Sequence, residues 1–134
     1  MRVFFRFHLP AIAYAILILT VSSIPSLKTP QVRFIAADKV AHFVEYAIFA
    51  FLAFRSLVHV PALARRNLAV PAAILLVAVF AYLDELYQRH IPGRHSDMAD
   101  YVADLAGALL VLGLTWLRHR RRQHQPSPES SESA

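Results

Sequence analysis

The chain alternates between long apolar stretches and short polar breaks. No Asp, Glu, Lys or Arg interrupts residues 7 to 27, and the run "LPAIAYAILILTVSSIP" within it carries no polar stripe. A half-exposed helix of a water-soluble domain would show one. A second stretch, "DKVAHFVEYAIFAFLAFRSL", is apolar but holds Asp38, Lys39, His42 and Glu45 in its first two turns. The third, "NLAVPAAILLVAVFAYLDELYQ", is clean until Asp84, and the fourth, "DYVADLAGALLVLGLTWL", opens on Asp100 and Asp104 and ends near Trp116. Each is close to the roughly 20 residues needed to cross a bilayer as a helix. The pattern predicts an all-α fold, a four-helix transmembrane bundle with helices near 7–27, 38–58, 68–88 and 98–117. Pro71 sits near the start of the third helix, where a missing amide costs little.

A cleaved secretory signal is the rival reading of the first stretch, with Arg2 and Arg6 as its charged region. Its apolar run exceeds the 7–15 residues or so usual for such signals, and "TVSS" is a poor processing site.

Composition supports a membrane protein. The apolar fraction is 57% against 17% charged, a balance that leaves too little polar surface for a soluble domain. The 134 residues suit one unit, read here as residues 1–122, followed by a polar, Pro- and Ser-rich tail at 123–134 that is expected to be disordered. Lys and Arg outnumber Asp and Glu by 14 to 9, yet the basic residues flank apolar runs and form no continuous face. That distribution argues against nucleic acid and for membrane lipids as partners. Without Cys, disulfides, thiolate catalysis and Cys-ligated zinc are excluded.

Charge also predicts orientation. With both termini cytoplasmic, Arg2, Arg6, Arg55, Arg65, Arg66, Arg118, Arg120, Arg121 and Arg122 lie inside, against Lys28, Arg33, Lys39, Arg89 and Arg94 outside. The excess of inner basic residues favours this arrangement. Arg118 to Arg122 then fix topology and touch anionic headgroups.

In that orientation every acidic residue before the tail falls near the outer leaflet. Asp38, His42 and Glu45 are spaced to share a face of the second helix, and Asp84 and Gln88 lie one turn apart on the third, beside Glu85. Asp97, Asp100 and Asp104 share a face of the fourth. Glu45 and Asp104 are each seven residues inside a helix start, about 10 Å deep at 1.5 Å per residue. Ionisable groups at such depth face the bundle, pair, or line a wet cavity. The expectation is one polar pocket in which Asp38, Glu45, Glu85, Asp100 and Asp104 gather with His42 and Arg94.

Plainer roles compete for several of these residues. Asp97 and Asp100 could cap a helix, Asp38 could do the same with Lys39 reaching the interface, and Pro92-Gly93 could simply reverse the chain. Asp104 lies too far along its helix to cap. Arg94 could bridge to Asp84, Glu85 or Asp100, or clamp a phosphate or carboxylate of a ligand. Ala99, Ala103 and Gly107, at four-residue spacing, suit close helix packing.

The elements "SSIPS", "DKVAHFVEYAIFA" and "DELYQRHIPGRHSDMADYVADLAGALLVLG" together resemble the VanZ-like family, over roughly residues 20 to 113. That family is named for a small membrane protein linked to resistance to the glycopeptide teicoplanin. The resemblance implies that the family's typical polar positions fall on Asp38, His42, Asp84, Glu85, Gln88, Arg94, Asp100 and Gly107. Asp104 departs from it, since many members have Asn there. The process implied is antibiotic response at the bacterial inner membrane.

Three functions follow. The first is binding, with the pocket taking an envelope headgroup, a glycan, a cell-wall precursor or a glycopeptide. The second is a metal-assisted enzyme on a phosphorylated lipid or precursor, since the acids and His42 could hold a divalent cation. No phosphate loop, His-Glu-x-x-His pair or lipid-phosphatase series accompanies them, and the residues alone name neither a catalytic group nor a resident metal. The third, an ion or proton pathway, is weakened because the inner halves of the helices carry no acid.

Overall fold

A computed structural model describes residues 1–25, 35–65, 67–94 and 97–123. It is helical. A π-helical turn at Phe4–His8 runs directly into α1, Leu9–Ser22. Then follow α2, Ile35–Leu57, a short α3, Pro61–Arg65, α4, Ala69–Gln88, and α5, Met98–Gln123. Among the described residues four segments are long and apolar enough to cross a membrane: Phe4–Ser22, Asp38–Leu57, Ala69–Gln88 and Met98–Arg118.

The ends of these helices differ from the sequence expectation for local reasons. The first helix closes at Ser22 because Pro25 follows three residues later, and the residue before a proline avoids the helical region. α2 begins at Ile35, so Asp38 lies within its first turn rather than preceding it as a cap. α5 continues beyond residue 117 to Gln123; residues 124–134 of the expected tail, like Lys28, Arg33 and Arg66, lie outside the described residues. Pro61 opens α3 at the position where no amide is needed. Gly93, with φ of 78°, makes the turn after Pro92 that only a residue without Cβ adopts freely.

α2 is the central helix, packed most extensively on α5 and also against α4 and α1. Small side chains make this possible. Ala50, Ala53, Ala73, Ala81 and Ala108 are buried between helices, and a Cβ on Gly107 would overlap the backbone carbonyl of Phe43. Such close backbone approach is how helices associate where lipid is as apolar as their own side chains. Tyr46, Phe49 and Phe80 fill the wider space. Large residues such as Ile16, Leu75, Val79, Leu83, Leu109 and Leu114 point outward. In water this surface would aggregate; in a bilayer it is the lipid contact.

Candidate functional site

Ser22 ends α1, Asp38 to Glu45 begin α2, Asp84 to Gln88 end α4, and Asp97 to Asp104 begin α5, so all lie at one end of the bundle. Their side chains fall into two groups.

His42 is the hub of the first. Its Nδ1 lies 3.0 Å from Asp104 Oδ1, and the two side chains are 12% and 1% exposed. Asp38 and Asp100 form one set of three with His42, and Glu85 and Asp104 form a second. Within each set the potential ligand atoms are all within 4.8 Å of one another. Ligand atoms on a tetrahedral ion with bonds of about 2.0–2.2 Å stand about 3.3–3.6 Å apart, so side-chain shifts of about 1 Å would let either set share a cation. Three helices supply these five residues, which is why no single stretch of sequence reveals them.

Lys39 marks the rim. Its ammonium donates to Asp100 Oδ1 at 2.7 Å and to Asp97 Oδ2 at 3.1 Å. Lys39 thus turns inward to pair with α5, where a role at the interface was expected. Asp97 also caps α5 by accepting the Ala99 amide at 2.9 Å, and its own amide donates to Glu85 Oε2 at 3.2 Å. The Ala99 amide, and after it the Lys39 ammonium, hold the Asp97 carboxyl below the usual carboxylate range.

Asp84 centres the second group. Its Oδ2 accepts from the Ser22 hydroxyl at 3.0 Å, the Gln88 amide at 3.0 Å and the Tyr46 hydroxyl at 3.3 Å. Gln88 also reaches the Ser22 hydroxyl at 3.3 Å. Oδ1 of Asp84 is enclosed and has no hydrogen-bond partner among the described residues. Ser22 and Tyr46 were not among the sequence candidates. Their signals were faint: a Ser in the "SSIPS" close of the first helix, and a Tyr one turn beyond His42.

Two candidates go elsewhere. Arg94 donates to the carbonyls of Val21 at 2.8 Å and Ile24 at 3.4 Å, so its guanidinium fork grips the turn that closes α1. Glu45 lines a shallow groove between α1 and α2 and, within electrostatic reach of His42, makes no hydrogen bond to it. Of the small-residue series, Gly107 makes the closest approach to α2, while Ala99 and Ala103 are half-buried.

The arrangement can do one kind of chemistry readily. Five acids, Asp38, Glu85, Asp97, Asp100 and Asp104, meet one lysine and one histidine, so the site favours a cation over an anion. A sequence model of the VanZ/LLP1 family matches residues 3–119, which take in all four apolar helices and both polar groups. Comparison with curated proteins and with solved structures gives no match.

Proposed function

The chain belongs to the VanZ/LLP1 family and is a multi-pass membrane protein, and from that premise we propose that it binds a divalent cation at His42 and through it an anionic headgroup of the cell envelope. The observation that carries this reading is the pair of ligand sets sharing His42. Carboxylates gathered away from water need compensating charge. Lys39 and His42 supply part of it, paired to Asp97, Asp100 and Asp104. A mixed imidazole and carboxylate set suits zinc or manganese. A cation held there keeps charge to spare for a phosphate or carboxylate, so the expected ligand is a headgroup, a phosphorylated cell-wall precursor or a glycopeptide. Arg94 is already engaged by α1 carbonyls, which moves the ligand contact from that guanidinium to the metal.

In this reading the protein sits in the bacterial inner membrane with both termini cytoplasmic and the polar end outward. The family resemblance supplies the setting, a response to teicoplanin. Calorimetric titration of the purified protein with Zn²⁺ or Mn²⁺ tests the site: wild type should bind and His42→Ala should not. Equal binding by the two would end the cation reading. Steady release of phosphate from a lipid-linked precursor would shift the protein to the enzymatic alternative. For orientation, His90→Cys should label in intact cells with an impermeant thiol reagent and Arg65→Cys should not. The reverse pattern inverts the topology.

A further inference from the structure

At the end of the bundle away from His42, the π-helical turn Phe4–His8 meets the close of α2. Three consecutive residues of the turn touch that helix. The Arg6 carbonyl accepts from Arg55 Nη2 at 3.1 Å, the Phe7 ring stacks on the His59 imidazole with centroids 3.5 Å apart, and His8 Nδ1 lies 2.6 Å from the Ser56 hydroxyl. A π-turn rotates less per residue than an α-turn, so neighbouring residues can face one partner. His59 is fixed in its turn, donating through Nδ1 to the Arg55 carbonyl at 2.8 Å.

This packing gathers two permanent charges. The guanidinium carbons of Arg6 and Arg55 lie 5.4 and 5.1 Å from the centre of the same Phe7 ring. No acid answers them: every Asp and Glu before the tail belongs to the His42 half of the bundle, and among the described residues no ion pair reaches either arginine. Both nevertheless belong to membrane spans. Arg6 comes two residues after the Phe4 start of one, and Arg55 two before Leu57 ends another. Two residues at 1.5 Å each put their backbones only about 3 Å inside the span, from which a long side chain reaches the lipid phosphates. Arg6 is exposed and Arg55 half-buried, so both are open to a ligand.

The charge left over calls for an anion, and its form can be narrowed. Contact with the Phe7 ring holds the guanidiniums without consuming their N–H groups. Two forks carrying two charges match a phosphate monoester, which has nearly two negative charges and three terminal oxygens. A diester offers one charge and two such oxygens, and leaves one arginine unanswered.

We propose that Arg6 and Arg55, held by Phe7, form a site for the phosphate-monoester headgroup of a membrane lipid. The site needs neither a cation at His42 nor a particular orientation of the bundle, since either end lies at a headgroup layer.

The test uses the full chain in phosphatidylcholine nanodiscs doped with phosphatidic acid, or with twice as much phosphatidylglycerol to match the charge. Native mass spectrometry counts the lipid retained on the ejected protein. Wild type should prefer the monoester by about tenfold, the scale of one hydrogen bond to a charged group. Arg6→Gln and Arg55→Gln should each erase most of that preference, with melting within a few degrees of wild type. Arg55→Lys should erase it too, because a point charge lacks the fork. Phe7→Leu, which keeps both charges and removes the ring, should weaken it. Arg118→Gln removes an equal charge from the exposed end of the α5 span and should leave the preference intact, as should His42→Ala. Equal retention of the two lipids by wild type overturns the proposal. So does a preference that falls as far in Arg118→Gln as in Arg6→Gln, which would be general attraction of basic residues to anionic lipid. If millimolar glycerol 3-phosphate displaces the retained phosphatidic acid, the ligand is a soluble monoester and the lipid assignment falls.

Discussion

Asp84 and Asp104 lie on neighbouring helices at the same end of the bundle, 3% and 1% exposed, yet they are held in opposite ways. Asp84 is met by neutral donors: two hydroxyls and an amide converge on one of its oxygens. Those donors come from α1, α2 and α4, so the network ties α1, the least buried of the long helices, to the rest. Asp104 is met by a histidine, and around that histidine stand three further carboxyls with a single lysine at the rim. The contrast separates two uses of a buried acid. One closed by neutral hydrogen bonds fastens helices; one left with more negative partners than positive invites a cation.

Breaking the frame that both groups share should have the largest effect. Gly107→Ala places a Cβ against the Phe43 carbonyl, which is backbone and cannot rotate away, so α2 and α5 must separate. A loss of about 3 kcal/mol is expected, at the upper end for overpacking, with both groups disrupted. Gly113→Ala, where the space is open, should be neutral or stabilising by up to about 1 kcal/mol. Melting in detergent compares the two; equal melting points would mean that the close approach is not needed.

His42→Ala comes next. It strands the Asp104 carboxyl, at a cost of about 3 kcal/mol, and removes the cation. Adding Asp104→Asn should restore part of the stability and none of the binding. If binding returns with stability, His42 is a scaffold residue and the contrast with Asp84 disappears.

Asp84→Ala should cost about 2 kcal/mol by leaving buried hydroxyl and amide donors unpaired, with cation binding unchanged in the folded fraction. Weakened binding in a fully folded variant would merge the two groups into one site.

Arg94→Lys should lose about 1 kcal/mol, because a point charge cannot span the carbonyls of Val21 and Ile24 as the guanidinium fork does. Unchanged stability together with a lost envelope phenotype would instead make Arg94 a ligand contact.

The smallest effect belongs to Asp97, which is open to solvent. Its folded pKa is lowered, so its contribution is present above the unfolded value of about 3.9 and fades as pH falls through the lower folded value. Asp97→Asn should therefore flatten the acid limb of a melting-temperature profile and leave the neutral region almost unmoved. A large loss at neutral pH would mean that Lys39 and Asp100 depend on it.

The four spans were legible in the sequence because a bilayer imposes length and apolarity on each helix separately, and both can be counted along the chain. The end of the bundle at which the polar residues gather followed from the same count, since alternate helices reverse direction. Helical spacing also put Asp38 with His42, and Asp100 with Asp104, on shared faces. Pairing between helices was not legible. It depends on how far each helix is rotated and shifted along its neighbour, and periodicity contains neither quantity. Lys39 and Arg94 show why this matters. Their long side chains can turn to several partners, and only tertiary packing set one against Asp97 and Asp100 and the other on the carbonyls that close α1. The same rotation set Glu45, which by spacing shares the His42 face, along the groove beside α1 as well.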